Sequence, residues 1–182
     1  MSQQLFKTTK WQPFRPAADA ATAVETTLTA DCVLSATIPA HTRVVEGVRG
    51  GRMRFFSNCA NDETCIITFY AVEERNGKNG GYYVTNLGTT GTITFGTEVG
   101  TPLSDIDGTF RFAEAMTWTP STFGTALLVY CGGNVADVDP AANAISELLW
   151  SDFGNIEMLT WRVTTYGLTA TSKLNIDWKL DV

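Results

Sequence analysis

An all-β fold is what this sequence predicts: an antiparallel β-sandwich of jelly-roll or Greek-key type, with one short helix and an extended N-terminal arm. Three observations predict it. Apolar and polar residues alternate with period two along several stretches. Gly, Pro and Asn-Gly turn signals recur between those stretches. About one residue in seven is Thr, a β-branched side chain that favours the extended chain. A closed barrel is the alternative architecture for the same signals.

Residues 1–25 have no usable periodicity and read as the arm. Pro13 and Pro16 hold residues 11–16 extended. Trp11 and Phe14 need an apolar surface, either on the chain's own body or on a neighbouring subunit. Residues 26–182 then form a single domain, with no internal repeat and no clear boundary. Residues 32–38 predict its first strand, and residues 43–48 a second, with Val44 and Val48 on one face.

The organising stretch is residues 52–87. Residues 52–57 alternate. Residues 65–74 set Ile67, Phe69 and Ala71 against Thr68 and Tyr70. The run Arg75-Asn76-Gly77-Lys78-Asn79-Gly80-Gly81 reverses the chain into residues 82–85.

Residues 89–95 predict a strand with Ile93 and Phe95 inward and Thr92 and Thr94 outward. The Gly- and Thr-rich span 88–102 reads as an exposed, projecting hairpin or loop. Residues 109–118 set Phe110, Phe112, Met116 and Trp118 on one face, and residues 125–131 read as a central strand, apolar on both faces. Asp139 as N-cap, Pro140 at the first position and Ile145, Leu148 and Leu149 at helical spacing predict a helix over 140–150. Residues 157–166 place Leu159, Trp161 and Val163 together. Residues 173–181 alternate without a break: Leu174, Ile176, Trp178 and Leu180 against Lys173, Asn175, Asp177, Lys179 and Asp181.

A net charge of −6 argues against a nucleic-acid groove, which needs clustered Lys and Arg. No apolar run is long enough to span a membrane as a helix, and residues 1–10 lack the apolar centre of a signal peptide. Cys32, Cys59, Cys65 and Cys131 are irregularly spaced and read as buried thiols, although Cys59 and Cys65 flank a turn they could bridge.

Chemistry-bearing sets are sparse. His41 stands in a turn as the single histidine, and no Gly-x-Ser-x-Gly elbow is present. The run Asp105-Ile106-Asp107-Gly108 opens like a calcium loop, but Met116 stands where that loop needs Glu. Glu73 and Glu74 are adjacent and so point to opposite faces, while Glu114 and Glu157 interrupt apolar strands. Trp118, Trp161 and Trp178 keep phase with core positions. Tyr70, Tyr82 and Tyr83 are the aromatics open to a carbohydrate surface. The expectation is a protein without enzymatic activity, cofactor or required metal.

The strand-turn-strand Ile38-Pro39-Ala40-His41-Thr42-Arg43-Val44-Val45-Glu46-Gly47-Val48, the polar N-terminal arm, the Thr/Gly-rich loops and the strand near the C-terminus resemble accessory structural proteins of tailed-bacteriophage virions. The likeness is closest to the capsid decoration or cement type. It implies a building block of the virion, assembled in the host cytoplasm, that binds copies of itself and the major capsid or other virion proteins, with neither nucleic acid nor membrane as partner. A tail or head-tail connector component is the alternative within that class, and a carbohydrate-binding module for host recognition the alternative outside it. The residues expected to touch a neighbouring subunit or shell are Lys7, Lys10, Trp11, Phe14 and Arg15 of the arm.

Overall fold

Every element described by the computed structural model is a β-strand, and every strand pairing is antiparallel. The structure describes residues 10, 12–19, 33–35, 38, 42–48, 50–58, 63–75, 80–100, 110–121, 147–151, 156–166 and 172–181. The strands are β1 (Gln12–Asp19), β2 (Val33–Ser35), β3 (Arg43–Val44), β4 (Gly50–Ser57), β5 (Thr64–Glu74), β6 (Tyr82–Thr90), β7 (Ile93–Gly100), β8 (Phe110–Ala115), β9 (Trp118–Pro120), β10 (Glu147–Ser151), β11 (Met158–Tyr166) and β12 (Lys173–Asp181).

They join in one continuous order, β1-β12-β4-β8-β7-β5-β11-β3. Along one side of β4 runs β12. The other side is shared by β10, opposite residues 50–54, and β8, opposite Phe56 and Ser57. Strand β5 is shared in the same way. It has β11 along one side, and β7 and β6 in succession along the other. Strand β6 in turn carries β2 and β9. The link between the β4 and β5 regions is β7, which pairs with β8 and, at Ile93 and Thr94, with β5.

The side chains show why the sheet curls. Phe55 of β4 meets Phe69 of β5 edge to face, with centroids 6.4 Å apart, although these strands are not neighbours in the sheet. One main core therefore receives Met53 and Phe55 from β4, Leu174, Ile176, Trp178 and Leu180 from β12, Ile67 and Phe69 from β5, and Leu159, Trp161 and Val163 from β11. Each such side chain contributes about 1.5–3 kcal/mol by leaving water. A smaller cluster lies on the opposite face of β5. There Tyr70, Val72 and Val84 pack with Ile38, Tyr82 and Met158.

Local expectations fare unevenly. The alternations of residues 65–74, 157–166 and 173–181 become β5, β11 and β12 with the predicted residues inward. The reversal after β5 closes with Arg75 N–H donating to the Gly81 carbonyl at 2.9 Å. Ile93 and Phe95 are buried as expected.

Three expectations are corrected and a fourth is narrowed. Residues 147–151 form β10 on β4, not the last turn of a helix: Leu148, Leu149 and Trp150 fit a strand as readily as a helix, and the vacant edge of β4 decides between them. Residues 141–146, like the strand predicted over 125–131, lie outside the described residues. Val44 is 68% exposed and its neighbour Val45 fully buried, because the chain turns at Glu46–Gly47, with Val48 N–H donating to the Val45 carbonyl. Within residues 88–100, the end of β6 and the whole of β7 stand where a loop is one expectation, and β7 pairs with β8 as an antiparallel arm. The run predicted over 109–118 breaks at Met116 and Thr117, where the Thr117 carbonyl accepts a bond from Gly91 N–H, so β8 and β9 pair with different strands.

Gly88 makes the β6–β9 approach possible. Its φ is +147°, and a Cβ there would lie 2.5 Å from Trp118 Cζ2 and 2.7 Å from the Thr119 carbonyl oxygen. Gly88→Ala is expected to cost more than about 1 kcal/mol in denaturant unfolding, since both the backbone angle and the space exclude a side chain. Trp178→Ala, which empties a core position only 6% exposed, is expected to cost about 3–5 kcal/mol by the same measurement. A loss below about 1 kcal/mol for Trp178→Ala would show that β12 does not seal the core.

Candidate functional site

Part of the segment expected to make contacts forms the edge strand β1 at one end of the strand order. Strand β1 lies along β12 with Gln12 opposite Trp178, Pro13 opposite Asp177, Arg15 opposite Ile176, Ala18 opposite Leu174 and Asp19 opposite Lys173. The register shifts twice, between Pro13 and Arg15 and again between Arg15 and Ala18. Prolines lack an N–H, so Pro13 and Pro16 weaken a ladder that already slips. β1 pairs with β12 and with no other described strand, and it ends the strand order. Part of the expected arm is therefore a strand on the chain's own sheet.

Of the five arm residues, Phe14 and Arg15 fall within β1, and Lys10 is exposed just before it. Lys7 and Trp11 lie outside the described residues. The charge of this segment is opposite to that of the body. Residues 1–19 hold Lys7, Lys10 and Arg15 against Asp19, so within a whole-chain net charge of −6 the remaining residues carry −8.

The strand that receives β1 holds a polar pair that the alternation alone does not reveal. Asn175 and Asp177 face away from the main core, yet they are 0% and 1% exposed. Asn175 Nδ2 donates to Asp177 Oδ1 at 3.0 Å. Asp177 stands across from Arg54 of β4, and Asn175 across from the buried Phe56. An opposite-charge cross-strand pair of this kind is worth about 0.2–1 kcal/mol. A clue was present in the sequence. The long, easily solvated lysines are Lys173 and Lys179, towards the ends of β12, while the shorter Asn and Asp occupy its middle.

Of the remaining candidates, Glu73, Glu74 and Glu157 meet at one end of β5. Glu157 is exposed, and its Oε2 accepts a bond from Glu74 N–H at 3.1 Å, so it ties the loop before β11 to the end of β5. Glu73 and Glu74 are exposed at that same end. Glu114 lies in β8. His41, Asp105, Asp107, Cys32, Cys59 and Cys131 lie outside the described residues, and Cys65 is a buried thiol outside any disulfide. Among the described residues no group of three or more His, Cys, Asp and Glu is arranged to hold a metal. Tyr70 is buried, Tyr82 and Tyr83 are half-buried, and Val44 is the exposed large hydrophobic among the described residues.

Asn175→Ala is expected to cost about 1–3 kcal/mol, because it strips a donor from a carboxylate that water does not reach. Urea unfolding at neutral pH measures it, and a change below about 0.5 kcal/mol would show the pair to be energetically idle. Comparison of the chain with known families, with curated proteins and with solved structures finds no significant match in any of the three.

Proposed function

We propose that this chain is a non-enzymatic virion structural protein, a capsid decoration or cement protein that binds its own copies and a capsid shell. The observation that supports the reading is the end of the sheet: β1 lies as an edge strand on β12, and the sequence up to Asp19 carries a net +2 against −8 for the rest of the chain. Edge strands offer unpaired backbone groups to a neighbour, and opposite charge steers the encounter. The finer architecture, a jelly-roll-like sandwich over residues 26–182, belongs to the same proposal, with β7 as the joint between its layers. Cementing would work by linkage: a protein that binds the assembled shell and not its separated subunits stabilises the shell. Aromatic residues favour this reading over a glycan-binding surface, since Tyr70, Trp118, Trp161 and Trp178 are all buried.

The test measures two things on the full chain and on a chain lacking residues 1–25. Light scattering gives the mass of each alone. Co-sedimentation with capsid shells of tailed phages, stripped of their accessory proteins, measures attachment. The full chain is expected to form a discrete oligomer and to sediment with shells. The truncated chain is expected to keep a β-type circular dichroism spectrum and lose both properties. Unchanged assembly and affinity after truncation would overturn the role of the arm, and a full chain that is monomeric and binds no shell would overturn the reading.

A further inference from the structure

We propose that the β1–β12 seam is an exchange joint, in which β1 of one copy occupies the β12 edge of a second copy and receives the second copy's β1 in return. This inference deepens the self-association part of the proposed function and rests on it. Three features of the seam point to it.

The first is that β1 is held through β12 and through no other described strand. A single-seam element can leave without unpicking the rest of the sheet. The second is the poor fit within one chain. The register slips twice within β1, and Pro13 and Pro16 contribute no donor. Each slip and each proline interrupts the ladder, and the edge that β1 would leave on β12 is an open row of donors and acceptors.

The third is tether length. Residues 20–32 separate β1 from β2, and thirteen extended residues reach at most about 45 Å. As an upper bound, that length does not confine β1 to its own chain.

In the exchanged form each β12 edge receives the same sequence in the same register, so every backbone bond of the seam is kept. Reciprocal exchange makes a closed two-fold dimer, in which neither β12 edge is left open. One-way exchange would instead run on as a chain of copies. Only exchange makes the seam a link between copies.

Asp19 and Lys173 are register partners at one end of the seam and suit a covalent trap. Asp19→Cys and Lys173→Cys are made singly and together, and the wild-type chain treated alike sets the baseline for native thiols. Co-expression of the two single variants followed by mild oxidation is expected to give a covalent dimer holding one chain of each, beyond that baseline. The double variant is expected to give covalent dimers. Bridges confined to single chains of the double variant, with no mixed dimer, would overturn the exchange.

A readout without cysteine guards against misfolded variants. Tagged and untagged wild-type chains are co-expressed, and the untagged chain is expected to be retained with the tagged one. Its complete release would overturn the proposal. The two readings fail separately. Bridges between chains in a protein that binds no capsid shell would support the exchange and overturn the shell-binding reading. Bridges within single chains, with shell binding intact, would overturn the exchange alone.

Discussion

Strand β5 must satisfy two faces at once, and the rest of the sheet is arranged to let it. Its odd-numbered Ile67 and Phe69 enter the main core, while Tyr70 and Val72 enter the smaller cluster behind. A strand buried on both sides needs partners on both edges, since an unpaired backbone group there costs about 1–3 kcal/mol. One edge is filled by β11. The other is filled in two pieces, by β7 and then by β6, and that division bends the sheet. Threonines finish the job where the pieces meet. Thr90 Oγ1 accepts the Ile67 N–H at 2.9 Å, and Thr89 Oγ1 donates to the Ile67 carbonyl at 3.2 Å.

Strand β4 repeats the arrangement on the other side of the core, with β12 along one edge and β10 and β8 dividing the second. The parallel ends at β12. Its outer middle is polar rather than apolar, yet buried, and its partner strand β1 shifts register twice along it. Strand β12 thus seals the main core with its apolar face, carries a buried hydrogen-bonded pair on its other face, and has a slipping edge strand along its outer side. Resistance to opening should differ between the two edges of β12, because local stability follows apolar contact and ladder regularity.

Much of this was legible in the residues. Strands with one clean apolar stripe, β5, β11 and β12, declared their inward faces through period two alone, and the turn after β5 declared itself through its glycines. What stayed hidden depends on contacts that periodicity does not encode. Leu148 to Trp150 are apolar in a row, so only the available edge of β4 assigns them to a strand. Gly and Thr over residues 88–100 look like loop composition. Here Gly88 serves the close approach of Trp118, and the threonines tie backbone groups of β5. The burial of Asn175 and Asp177 was masked by an alternation that reads equally well for a wet outer face. The candidate site was legible as a segment, through Phe14, Arg15 and the prolines, but not as a strand on β12, because a Pro-rich stretch carries no alternation to announce a register.

Cys65 has a role to play in studying this molecule that follows from its place alone. It sits on β5 across from Ile93 of β7 and from Tyr166 of β11, at the joint where the two halves of the sheet meet, and it is 1% exposed. A thiol there is shielded from modifying reagents while the joint holds, so its rate of labelling times the opening of that joint. The chain thereby carries its own reporter where β5, β7 and β11 meet, and a bound neighbour that holds those strands together would slow its labelling without touching the sulfur.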